Sequence, residues 1–210
     1  MKQILCFGDS NTYGYVPKTG GRYPYEERWT GLLAEKLKKT EYRVIEEGLC
    51  GRTTVFSDEL RPGRRGADLL PILLESHKPV EQVILMLGTN DCKTVYGASA
   101  EVIGKGIEKL ISQIKAADAA TKILLVSPIL LGEGVWEEGF DPEFNEKSVE
   151  TSKKLKVVYQ KIAEENGCDF FAASDIVSPS AADREHLSVQ SHAAFANAVY
   201  QKLKEILVLC

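Results

Sequence analysis

Four short stretches of this 210-residue chain carry side chains that could do chemistry together. The first is Gly8-Asp9-Ser10-Asn11, which follows the apolar run Ile4-Leu5-Cys6-Phe7. A serine on a tight turn at a strand exit, with the unpartnered N–H groups of a new helix beside it, suits a nucleophile that must work next to developing negative charge. The same residues also make an ordinary Asp/Ser helix cap. The nucleophile reading therefore needs a base, a group to orient it, and donors for an oxyanion. Asp183-Arg184-Glu185-His186 offers the base and its orienting group. A carboxylate three residues before a histidine can fold back to accept one ring N–H, leaving the other nitrogen to take a hydroxyl proton. On its own this segment is also a polar turn capping the last helix. Gly88-Thr89-Asn90-Asp91 brings a side-chain amide that can donate to an oxyanion or cap a helix. Gly51, within Gly48-Leu49-Cys50-Gly51-Arg52-Thr53-Thr54, can bring its N–H close to a ligand or simply make a turn. His192 reads as a structural or supporting histidine.

These stretches depend on the elements that hold them. Apolar runs predict strands at 2–8, 42–47, 83–87, 123–126 and 168–172, the run Val83-Ile84-Leu85-Met86-Leu87 being continuous as in a central parallel strand covered on both faces. Helical spacing of apolar residues predicts helices over 28–37, 66–77, 102–117, 145–165 and 191–207, with a further helix start at 11–15 and Pro71 as a first-turn residue or a kink. Strand and helix alternate, which predicts a three-layer α/β/α sandwich with a parallel sheet of about five strands. In such sheets ligands bind outside the carboxyl ends of the strands, where Ser10 and Asn90 both fall. Two long connections remain. Residues 15–27, rich in Gly, Pro and Tyr, either fill a groove near Ser10 or pack on the surface, and 129–145, with Trp136, Phe140 and Phe144, form a pocket wall or an oligomer contact.

With 44% hydrophobic and 27% charged residues the composition is that of a globular protein, and the absence of a Pro/Gly/Ser-rich linker predicts a single domain over 1–210. A formal net charge of -4, with basic residues scattered apart from Arg61-Pro62-Gly63-Arg64-Arg65, argues against nucleic acid as a partner, and that cluster reads as a solvated loop. Met1-Lys2-Gln3 runs directly into the first strand, and no apolar run approaches membrane-spanning length. The expectation is a cytoplasmic protein with no membrane partner. Five cysteines, Cys6, Cys50, Cys92, Cys168 and Cys210, lack CxxC pairing and are expected as free thiols.

Taken together and in this order, the four stretches resemble those of the SGNH hydrolases, also called GDSL-type esterases, over essentially the whole chain. Ile4-Leu5-Cys6-Phe7-Gly8-Asp9-Ser10, Val44-Ile45-Glu46-Glu47-Gly48-Leu49, Arg52-Thr53-Thr54 and Met86-Leu87-Gly88-Thr89-Asn90-Asp91 are similar to the bacterial arylesterase/acyltransferase branch. Asn11 stands where the Leu of GDSL would be. The resemblance implies a flavodoxin-like sheet, Ser10 as nucleophile, His186 as general base and Asp183 as its orienting carboxylate. It implies an oxyanion hole of the Ser10 N–H, the Gly51 N–H and the Asn90 amide. It further implies hydrolysis of small esters, such as aryl esters or acetylated carbohydrates, through an acyl-enzyme, with transfer to alcohols as an accompanying activity and no metal or organic cofactor.

Two other readings stay open. Asp9, Asn90, Asp91, His186 and His192 could be ligands of a metal-dependent phosphohydrolase, although Ser10 and Gly51 would then have no role. A non-catalytic module binding carbohydrate or protein could keep the fold. The aromatic loop at 129–145 and the Trp29 region leave room for a homo-oligomer.

Overall fold

The computed structural model describes residues 1–207. Its centre is a sheet of five parallel strands, β1 (Lys2–Gly8), β2 (Tyr42–Gly48), β3 (Val80–Met86), β4 (Lys122–Ser127) and β5 (Asp169–Ala172), in the order β2-β1-β3-β4-β5. This is the flavodoxin-like order, and its topological switch lies between β1 and β3. The strand interiors are apolar on both faces because both faces are covered. Leu5, Phe7, Val83, Leu85 and Leu125 pack under α3 (Gly66–Ser76), α4 (Ala100–Ala117) and α5 (Glu146–Asn166). Ile4, Cys6, Ile84, Met86, Leu124 and Val126 face α2 (Trp29–Leu37) and α6 (Val189–Ile206).

Element bounds follow the sequence expectation to within three residues, with one difference that matters for the site. The helix start after Gly8 is a single turn, α1 (Ser10–Tyr13), stopped by Gly14 at φ 82°. Its cap is Asp9, whose side chain accepts from the Asn11 N–H at 3.0 Å. Pro71 lies inside α3 rather than in its first turn. The Asn145 capping box opens α5, and Gly167 in the left-handed region closes it.

Four cysteines, Cys6, Cys50, Cys92 and Cys168, are free thiols, while Cys210 lies outside the described residues. Among the described residues no helix is long and apolar enough to cross a membrane.

The exits of β1 and β2 approach α1 so closely that side chains are excluded there. A Cβ on Gly48 would sit 2.1 Å from the Tyr13 N, and one on Gly8 2.1 Å from the Thr12 hydroxyl. Both contacts involve the turn that carries Ser10. Gly48→Ala must push backbone against backbone, so it is expected to cost about 1–3 kcal/mol in urea unfolding and to lower any activity that depends on Ser10. Wild-type stability in that variant would show that the turn yields freely.

Candidate active site

Ser10 is the first residue of α1 and is buried at the carboxyl end of β1. Its N–H is one of the donors that a helix start leaves without an intrahelical partner. The Thr12 and Tyr13 N–H groups turn back to the Asp9 carbonyl.

The other half of the site comes from the loop between β5 and α6. Asp183 folds back as its spacing predicts, its Oδ1 accepting the N–H groups of Glu185 at 3.1 Å and His186 at 3.0 Å. Its Oδ2 lies 2.8 Å from His186 Nδ1, and His186 Nε2 lies 2.9 Å from the Ser10 hydroxyl. With Nδ1 protonated towards the carboxylate, Nε2 is the acceptor facing the hydroxyl. Asn11 joins the two halves, since its Oδ1 accepts the Leu187 N–H at 2.9 Å and its Nδ2 donates to the Glu185 carbonyl at 3.4 Å. The Leu that Asn11 replaces could do neither.

Gly51 and Asn90 reach the same place from the exits of β2 and β3. Gly51 has φ 80°, and Asn90 Nδ2 donates to the Arg52 carbonyl at 3.1 Å, which leaves the second amide hydrogen free. Asp91 fixes the two loops together by accepting the Thr54 N–H at 2.9 Å and its hydroxyl. The Arg52 guanidinium is buried, donating to the carbonyls of Gly8 (2.8 Å) and Glu47, and its centre lies 4.2 Å from that of the Phe7 ring. Ser10, Gly51, Asn90, Asp183 and His186 all line one cavity of about 310 Å³.

Much of the remaining lining comes from the two long connections, for each of which the sequence leaves a place at the site open. Tyr15 packs against His186 with ring centres 4.3 Å apart and planes tilted by 35°, whereas Tyr25 is exposed, so the 15–27 loop does both things expected of it. Likewise Phe140 lines the cavity while Phe144 is buried in the core. Arg184 has φ 61°, and its guanidinium clips the 129–145 loop in place through the Gly134 carbonyl (2.8 Å) and Glu137 (2.7 Å) while covering the Phe140 ring. The basic cluster at 61–65 is not simply solvated. Arg61 lies against Gly51, paired with Asp58, and Arg64 donates to the Cys50 carbonyl.

Burial sets the electrostatics. Glu185 is 6% exposed, and burial pushes its carboxyl up to about 7; its Oε1 lies 3.6 Å from His186 Nε2. Burial alone would lower His186, but the Glu185 carboxylate and the Asp183 hydrogen bond outweigh it and raise the imidazole above its usual value. For Asp183 burial acts upward, yet the imidazole and the two N–H groups bring it below the ordinary carboxylate range.

The residues of the metal reading do not converge. Asp91 is bound to Thr54, His186 is bound on both ring nitrogens, and His192 accepts the Trp29 N–H at 3.3 Å beside Tyr23. Among the described residues no three His, Cys, Asp or Glu side chains come together in a way that could hold a metal.

The chain as a whole has known relatives. Residues 6–194 match the model of the GDSL-like lipase/acylhydrolase family, and the chain belongs to that family, the SGNH hydrolases. Solved structures similar to it along their whole length include Est24, a carbohydrate acetylesterase from Sinorhizobium meliloti, at 36% identity and TM-score 0.89 over 99% of this chain and 100% of that one. The M. smegmatis aryl esterase is 33% identical with TM-score 0.90 over the same shares. A carbohydrate acetylesterase family member from S. meliloti is 34% identical, with TM-score 0.93 over 100% of both chains. The curated proteins contain no match.

His192 provides a test of the packing behind the site. It is fully buried, and burial, followed by the nearby His186 and Arg28, lowers it to about 4 from an unfolded value near 6.5. A histidine kept neutral by the fold stabilises fully above its unfolded value, and that contribution is lost as acid forces a proton onto it. Measured by urea unfolding, the stability of wild type relative to His192→Gln is therefore expected to fall between pH of about 6.5 and about 4, the raised carboxyls of Asp9, Asp91 and Glu185 acting alike in both proteins. An identical slope in the variant would assign the acid sensitivity to other groups.

Proposed function

We propose that the protein hydrolyses carboxylic esters of small acyl groups, among them aryl esters and acetylated carbohydrates, with Ser10 as nucleophile, His186 as general base and Asp183 as its orienting carboxylate. The observation that carries this reading is the relay of 2.9 Å from Ser10 Oγ to His186 Nε2 and 2.8 Å from His186 Nδ1 to Asp183, at the wall of a cavity. A cavity of about 310 Å³ is at the small end of ligand sites, which favours short acyl chains. The esterase titles of the solved relatives point the same way. We read residues 1–210 as one domain serving this site.

In this mechanism the Ser10 oxygen attacks the ester carbonyl as its proton passes to His186 Nε2. Asp183 stabilises the imidazolium by charge and by holding Nδ1–H. The negative charge that develops on the carbonyl oxygen meets the Ser10 and Gly51 N–H groups and the free amide hydrogen of Asn90. The C–O bond to the alcohol then breaks, the alcohol leaves with the proton from Nε2, and the acyl group stays on Ser10. Water reverses the sequence with His186 again as base, and an alcohol entering in its place gives acyl transfer.

Hydrolysis of a p-nitrophenyl ester series of increasing acyl length tests this reading. Ser10→Ala is expected to abolish turnover and Asn90→Ala to lower kcat about 100- to 1000-fold, while chelator leaves the wild type unaffected. Full activity in Ser10→Ala would overturn the nucleophile, and chelator-sensitive activity would favour a metal-dependent reaction. Because His186 is raised above its usual value, kcat/KM is expected to climb with pH and level off above the ordinary histidine range.

A further inference from the structure

Glu185 has no part in the relay, yet it is the most buried acid facing the cavity after the relay is accounted for. Its backbone is held on both sides, the N–H by Asp183 and the carbonyl by Asn11, so the segment that aims His186 also aims the Glu185 side chain. Its carboxylate reaches to 3.6 Å from Nε2, which is a charge contact, and Nε2 is already hydrogen-bonded to Ser10. Among the described residues no group donates a hydrogen bond to that carboxylate, although the residue is only 6% exposed and borders the cavity. Buried carboxylates are normally satisfied by donors, and one that opens onto a ligand cavity with none is completed by the ligand.

The reaction fixes what that ligand group is. The departing alcohol oxygen takes its proton from Nε2 and must lie within hydrogen-bond reach of it. Glu185 Oε1 is beside the same nitrogen, so the next carbon of the alcohol and its substituent fall against the carboxylate. A hydroxyl there donates to Glu185, whereas an alkyl or aryl carbon displaces solvent from the carboxyl and offers it no donor. Lys18, Asp141 and Glu143 line the same cavity and extend this polar character.

We propose that Glu185 determines specificity by accepting a hydrogen bond from a hydroxyl on the carbon adjacent to the esterified one, which selects partially acylated polyols and sugars. The proposal rests on the hydrolase reading of Ser10 and His186.

The experiment compares kcat/KM for ethylene glycol monoacetate and for its methyl ether, which share a skeleton and differ in the donor hydroxyl, with p-nitrophenyl acetate as a third substrate. Wild type is expected to prefer the free hydroxyl about ten-fold or more. Glu185→Leu is expected to erase the preference, and Glu185→Gln, which still offers an acceptor oxygen, to keep most of it. Equal rates on the two glycol esters in wild type overturn the proposal without recourse to any variant, as does a preference that survives in Glu185→Leu. Cleavage of p-nitrophenyl acetate without cleavage of the glycol ester also overturns it and leaves the hydrolase reading standing. Inactivity on all three overturns both.

Discussion

The buried guanidinium of Arg52 holds the site's parts in register. It donates to carbonyls at the ends of both β1 and β2 and lies over the Phe7 ring, so one side chain ties two strand exits together, adding to the Leu49 N–H that the Gly8 carbonyl also accepts. The Arg52 carbonyl accepts the Asn90 amide, which brings in the exit of β3. Three loops separated by long stretches of sequence thus share one anchor beneath Ser10. Burial weakens the proton affinity of Arg52 to about 10, still far above neutral, so the anchor is charged under ordinary conditions. Leaving the carbonyls and the Asp9 carboxylate without it would strand several polar groups in a region closed to water.

Against this rigid edge the histidine arrives from the far end of the chain. Its position relies on short-range bonds, the Asp183 turn, together with the bridge that Asn11 builds from α1 to the backbone of Glu185 and Leu187. The acids around it are kept apart in character by their surroundings. Asp183, supplied with donors, is held as a strong carboxylate, while Glu185, supplied with none, is pushed up to about 7. Two carboxyls two residues apart therefore meet the same imidazole in different ways.

What could be read from the sequence was local. The strands were legible because each is a short apolar run covered on both faces, and the Ser10, Asn90 and Asp183/His186 stretches because each combines a strand or helix boundary with a polar group at fixed spacing. Gly51 was legible only through the resemblance, since a glycine in a turn has many ordinary causes. Glu185 is hidden between the two functional positions of Asp-x-x-His, where side-chain direction depends on the left-handed Arg184 before it. Tyr15, Phe140 and Arg61 reach the cavity through contacts between distant loops, which no periodicity encodes. The helix start at 11–15 is legible, but its end is not, because the left-handed Gly14 closes α1 after one turn.

The Arg184 clip has a consequence for how such a site can change. One residue joins the backbone that aims His186 to the loop carrying Phe140, through the bond from the Gly132 N–H to its carbonyl as well as through its guanidinium. The part of the cavity wall that carries Phe140 is thereby tied to the segment that carries the imidazole. A substitution in that loop therefore bears on the segment carrying His186 as well as on the cavity wall, and a substitution at 184 bears on both at once.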